Sequence, residues 1–134
     1  MMSELKRILH VEDDPDIQMI ARLALERVGG FTVYGCENGL VALDAIKHFK
    51  PDLLLLDVMM PEMDGPTLLK AVRAGDAGVE FVDVPAIFLT AKIQSHETAP
   101  YLAIGALAVL RKPFEPMSLA NQIREIWAAR ADRP

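Results

Sequence analysis

Five short apolar runs, each followed by a stretch with helical spacing, constrain this chain more than any other feature. They are Arg7–Val11, Phe31–Cys36, Leu53–Leu56, Ala86–Leu89 and Leu107–Leu110. The run Leu53-Leu54-Leu55-Leu56 has no polar position in either register, so it reads as a strand buried on both faces of a sheet. Repeating strand then helix predicts a parallel sheet with right-handed crossovers and helices on both faces, an α/β fold.

The intervening segments carry helix signals. Ile17, Ile20, Ala21, Ala24 and Val28 fall at helical spacing and are expected inward. Asp14 is the N-cap, Pro15 the first helical residue, and Gly29-Gly30 the stop. A second helix runs from near Asn38-Gly39 to His48, with Ala42, Leu43, Ile46 and Phe49 inward and Lys50-Pro51 closing it. A third starts after Asp64-Gly65 and carries Leu68, Leu69 and Val72. A fourth is expected over roughly Ser95–Ile104, with Pro100 inside it, and a fifth after Pro116, with Leu119, Ile123 and Ile126 on one face. Trp127 reads as core, and Ala74–Val84 as a long loop or frayed helix end.

With 134 residues, 51% of them hydrophobic, one domain over 1–134 with a core of about 5–130 is expected. The initiator-like Met1 and the lack of a linker favour a complete protein. Cys36 is the single cysteine, which excludes an internal disulfide and suits a reducing compartment; within a strand it reads as a buried apolar residue. The net charge is −5, with 14 basic and 19 acidic residues and the basic ones scattered, which argues against nucleic acid as a direct partner. No apolar stretch approaches the roughly 20 residues of a membrane span, and Met1-Met2-Ser3-Glu4 lacks a signal-peptide core. A soluble cytoplasmic protein is expected.

Asp57 ends the leucine run and so emerges at the C-terminal edge of a strand, where open α/β sheets place their chemistry. Glu12 and Asp13 follow Arg7–Val11 in the same way. If those strands are neighbours, three acids converge, and like charges so close demand a cation. Read singly, each residue has a plainer role. Asp57 could cap the following turn, Glu12 and Asp13 could favour a helix N-terminus, and Lys112 could be a solvated lysine.

Taken together, the fragments Val11-Glu12-Asp13-Asp14, Leu56-Asp57-Val58-Met59-Met60-Pro61, Met63-Asp64-Gly65, Leu89-Thr90-Ala91 and Lys112-Pro113-Phe114 are highly specific. In this order and spacing the chain resembles the receiver domain of two-component response regulators, the family of the bacterial chemotaxis regulator. The resemblance covers about residues 5 to 130. It implies a doubly wound, flavodoxin-like three-layer sandwich with strand order 2-1-3-4-5, an order carried over from the family rather than derived.

The resemblance further implies that Asp57 accepts a phosphoryl group from a phosphohistidine on a sensor histidine kinase or histidine phosphotransfer protein. Glu12, Asp13 and Asp57 would hold Mg2+, with Asp13 and Asp57 as direct ligands, Glu12 acting through water, and the Met59 backbone carbonyl as a further ligand. Lys112 would reach the phosphoryl oxygens, its bond to Pro113 being cis. Thr90 and the Ala91 backbone N–H would receive the phosphoryl group. The surface of the fourth helix, fifth strand and fifth helix would then change for a downstream protein effector. The protein would act on nothing but its own phosphorylation and dephosphorylation, as a monomer or weak homodimer.

One departure from the family stands out. Where many receivers carry Tyr or Phe three residues before the lysine, this chain has Val109, which has no ring to swing and a stiff χ1. Output is therefore expected through direct pull on Thr90 and a shift of the Ala91–Gln94 loop. Lys92 is expected at the mouth of the site, or as an ordinary solvated lysine.

Weaker signals remain. Ser95-His96-Glu97-Thr98 has the look of a kinase histidine box but lacks the long helical hairpin, so a surface His96 is expected. His10 and His48 have no ligand-type partners nearby in sequence, and Met59, Met60 and Met63 form an apolar rim that could meet a partner or be partly buried. Two other function classes compete. A haloacid-dehalogenase-like phosphohydrolase would need an acid two positions after the nucleophile, where Met59 stands. A phosphorylation-independent binding module would have a decayed pocket, whereas Glu12, Asp13, Asp57, Thr90 and Lys112 are all present.

Overall fold

Each apolar run forms a strand in the computed structural model, which describes residues 4–91 and 98–130. The strands are β1 (Arg7–Val11), β2 (Thr32–Cys36), β3 (Leu53–Asp57), β4 (Ala86–Thr90) and β5 (Ala106–Arg111). All pair in parallel, in the order β2-β1-β3-β4-β5. The fully apolar strands take the inner places: every residue of β3 and β4 is buried. Phe31 is buried but precedes the ladder, and Asp57 and Thr90 extend their strands by one residue beyond the apolar runs.

Alternation along the strands divides the core into two layers. Leu9, Val11, Leu54, Leu56 and Phe88 face one way. They pack on α2 (Gly39–Phe49) and α3 (Gly65–Arg73) through Ala42, Ile46, Leu68, Leu69 and Val72. Ile8, Leu55, Ile87 and Leu89 face the other way, onto Ala21 of α1 (Pro15–Leu23), Leu25, and Leu119, Ile123 and Trp127 of α5 (Leu119–Ala129). Each fully buried Leu or Ile side chain stabilises by about 1.5–3 kcal/mol before chain entropy is counted. Two covered faces make the three-layer sandwich.

Asp14 caps α1 as read from sequence, and Asn38 and Asp64, near the expected starts of the next two helices, also serve as caps. Asp14 Oδ1 accepts from the N–H of Asp16 and Ile17, Asn38 Oδ1 from Val41, and Asp64 Oδ1 from Thr67. Lys50 closes α2 in the left-handed region at φ 55°.

Three details depart from the sequence reading. α1 runs into a π-helical turn, Ala24–Val28, whose wider spacing breaks the expected stripe. Leu25 is then fully buried while Val28 is exposed, and Ile20 also faces out. The segment expected as loop over Ala74–Val84 contains a 3₁₀ turn, Val79–Phe81. It is tied down by Arg73, whose Nη1 donates to the Val82 and Val84 carbonyls at 2.9 and 2.7 Å. Of the fourth helix, α4 covers Ala99–Ala103. Lys92, His96 and the rest of 92–97 lie outside the described residues, as does most of the Ala91–Gln94 loop. Among the described residues no helix is long and apolar enough to cross a membrane.

Candidate functional site

Register positions the acids. Val11 of β1 stands beside Leu56 of β3, so Glu12 and Asp13 leave the sheet next to Asp57. Asp57 in turn pairs with Leu89 of β4, and Thr90 pairs with Arg111 of β5. Thr90 and Lys112 therefore leave the same edge of the sheet as the acids, and the Lys112 N–H donates to the Thr90 carbonyl at 2.8 Å.

One carboxylate oxygen from each of Glu12, Asp13 and Asp57 lies within 4.8 Å of the other two. Glu12 and Asp57 are buried, whereas Asp13 is exposed and opens the cluster to solvent. Lys112 bridges the two buried acids: its Nζ donates to Glu12 Oε1 at 2.7 Å and lies 3.2 Å from Asp57 Oδ2. Glu12 Oε2 accepts from the Asp14 N–H at 3.2 Å. An oxygen-only donor set of this size, open on one side to water, fits a hard divalent cation such as Mg2+, which keeps part of its hydration.

The charges are strongly coupled to burial. Burial pushes the Glu12 carboxyl up to about 7, and the Asp57 carboxyl beside it acts in the same sense, while the Lys112 and Asp14 hydrogen bonds pull it back. Burial also works to lower Lys112, but its bond to Glu12 and the Asp57 and Glu12 charges outweigh that, so its net shift is upward. On β1, His10 is fully buried and neither ring nitrogen has a hydrogen-bond partner among the described residues. Burial, aided by the nearby Lys112 charge, lowers its pKa to about 4. Burial pushes the Cys36 thiol up to about 12, consistent with the inert apolar role expected of it.

The turn after Asp57 is tightly folded back. Val58 donates to the Leu89 carbonyl and Gly65 to the Val58 carbonyl. A Cβ on Gly65 would stand 2.3 Å from the Asp57 carbonyl oxygen and 3.0 Å from the Phe88 ring, so only glycine lets α3 begin this close to the strand end. Met59 is 77% exposed at the rim, whereas Met60 is buried and Met63 packs against the core beside Gly39. Met59 thus faces solvent at the rim, while Met63 takes the partial burial that was the alternative expectation and Met60 is buried.

Thr90 is buried at the end of β4, Ala91 is exposed next to it, and the Lys112–Pro113 bond is cis. The sequence reading overlooked Gln18. Its Nε2 donates to the Glu12 carbonyl at 3.0 Å and the Cys36 carbonyl at 3.1 Å, bracing the ends of β1 and β2. Its room comes from Gly35, where a Cβ would stand 2.6 Å from Gln18 Oε1. The available signal was Gln18 lying four residues after the Asp14 cap, beside a glycine-bearing strand.

Comparison with known proteins bears directly on this arrangement. Residues 8–124 match the family described as the response regulator receiver domain. The chain belongs to that family. This receiver is 38% identical over 93% of its length to the transcriptional regulatory protein CseB of Streptomyces avermitilis, of which it covers 50%. It is 36% identical over 96% of its length to the DNA-binding response regulator MtrA of Mycolicibacterium smegmatis, of which it covers 54%. The receiver thus spans about half the length of these curated relatives. Among solved structures, the Vibrio cholerae chemotaxis protein CheY4 superposes with a TM-score of 0.81 at 27% identity, over 92% of this chain and 99% of that one. The five-stranded parallel sheet, its order and its flanking helices agree with that likeness.

Proposed function

We propose that this receiver is a phosphoacceptor switch in which Asp57 takes a phosphoryl group from a phosphohistidine on a sensor kinase or histidine phosphotransfer protein. The observation that carries the reading is Lys112 held 3.2 Å from Asp57 within a cluster of three carboxylates. A structural capping aspartate would not need a buried ammonium and two further acids around it.

In the transfer, an Asp57 carboxylate oxygen attacks phosphorus. The P–O bond forms as the P–N bond breaks, and the electron pair leaves with the imidazole. A carboxylate is a weak nucleophile, so most of the rate comes from alignment and from compensating charge on the phosphoryl oxygens. Lys112 is placed to supply one positive charge. Thr90 and the Ala91 N–H, at the neighbouring strand end, would donate hydrogen bonds to the remaining phosphoryl oxygens. Glu12, Asp13, Asp57 and the Met59 carbonyl would hold Mg2+, which when bound neutralises further negative charge. Hydrolysis reverses the state when water attacks phosphorus and the Asp57 carboxylate leaves.

Output then passes to a downstream protein effector through the surface of α4, β5 and α5, and we place the protein in the cytoplasm. Residues 1–134 act as one receiver unit, monomeric or weakly dimeric. The relative MtrA is a DNA-binding response regulator; the scattered basic residues here favour protein contacts for this unit itself.

Incubation with Mg2+ and acetyl phosphate, followed by intact mass spectrometry, tests the proposal. The expected result is a gain of one phosphoryl group that requires Mg2+ and vanishes in Asp57→Asn. A folded protein that gains none would favour a phosphorylation-independent binding module. Steady release of phosphate from small esters without an adduct would favour a hydrolase.

A further inference from the structure

The helix α4 has only five residues, and none of them is buried. Tyr101 alone among them is not exposed, and its ring lies 5.3 Å from that of Phe88, tilted by 53°. A helix this short does not hold its shape in isolation, so its seat is the ring contact together with the neighbouring Ile104. Phe88 is fully buried on β4. It also approaches the turn after Asp57: its Cε1 lies 3.0 Å from the position a Cβ on Gly65 would take, itself 2.3 Å from the Asp57 carbonyl oxygen. One ring therefore touches both the head of α3, directly behind Asp57, and the aromatic anchor of α4.

We infer that Phe88 and Tyr101 act as a two-ring lever, transmitting a change at Asp57 to α4. The inference rests on Asp57 being phosphorylated. Phe88 and Thr90 lie two residues apart and so share a face of β4. A displacement of Thr90 toward a phosphoryl group, or of the turn at Gly65, reaches Phe88 directly. The residue across from Phe88 on β5 is Val109, which has no ring to absorb or relay the motion. Tyr101 is the group left to respond, and α4 moves with it, carrying the exposed Leu102 beside it.

The chain has two tyrosines, and Tyr34 packs on Phe49, outside the lever. Fluorotyrosine labelling therefore places one ¹⁹F probe on the lever and one control elsewhere, assigned with Tyr34→Phe. On addition of Mg2+ and acetyl phosphate, the Tyr101 resonance should shift and return as the phosphoryl group is lost, with Tyr34 unmoved. In Phe88→Leu the Tyr101 response should be lost while the phosphoryl adduct still forms. A full adduct by mass with the Tyr101 resonance unchanged overturns the lever and leaves the phosphoacceptor reading standing. So does an unaltered Tyr101 response in Phe88→Leu. Failure to form the adduct overturns both, and the mass measurement tells the two failures apart.

Discussion

Glu12 shows how one side chain sets conditions for the whole site. Burial holds its carboxyl near 7, so it gives up its proton only as the pH passes that value. A divalent cation requires the carboxylate. Mg2+ affinity should therefore rise as the pH is raised from about 6 to about 8, a window bracketing that value, and the rise should flatten in Glu12→Gln. Titration calorimetry at several pH values checks this; an equally steep rise in Glu12→Gln would place the titrating group elsewhere. Residues of this kind were legible in sequence because they stand at the ends of apolar runs: Glu12, Asp13, Asp57 and Thr90 each follow or close one. Gln18 and His10 were not. Gln18 matters only because β1 and β2 end side by side, and His10 because β1 lies inside the sheet, where burial lowers its pKa and Lys112 adds to the effect. Both are consequences of strand order, which no local spacing encodes.

Among the elements, the best-read features were those with a local chemical cause. Asp14, Asn38 and Asp64 cap their helices because a short side-chain oxygen can accept from the first-turn N–H groups. The π-helical turn over Ala24–Val28 was missed because an apolar stripe assumes constant spacing, and one wide turn shifts every later residue. The turn between β3 and α3 carries a prediction of its own. Gly65→Ala places a methyl group against the Asp57 carbonyl and the Phe88 ring, and should cost about 1–3 kcal/mol of stability through overpacking. Urea unfolding measures it. A variant as stable as the parent would mean that the head of α3 relaxes away from β3 at no cost.

For the molecule as a whole, the parallel sheet and its two covered faces followed from the alternation of strands and helices. The order 2-1-3-4-5 came through family resemblance and agrees with the observed pairing. The buried ionisable groups then shape the response to acid of the metal-free protein. His10 falls from its ordinary 6.5 to about 4, so its contribution is present above 6.5 and lost as the pH falls toward 4, about 3 kcal/mol in all. Glu12, raised from 4.5 to about 7, works in the opposite sense: its contribution is present below 4.5 and lost as the pH rises through 7. Between about 4.5 and 6.5 the two slopes oppose each other. Replacing His10 with Leu removes one of them, along with two unpartnered ring nitrogens. His10→Leu should therefore gain stability on acidification from about pH 7 to about pH 5, as the Glu12 slope requires. Urea midpoints across pH provide the check, and a variant that still weakens over that window would contradict the assignment.

Borohydride trapping after brief exposure to Mg2+ and acetyl phosphate, followed by peptide mapping, reads the phosphorylated residue itself. Reduction of an acyl phosphate at residue 57 leaves homoserine there, and that product is expected in the peptide containing Leu53–Met59 and in no other. Reduction at Glu12 instead, giving 2-amino-5-hydroxypentanoic acid, or at Asp13, giving homoserine, or no reduced residue anywhere in a protein that has gained a phosphoryl group, would contradict it.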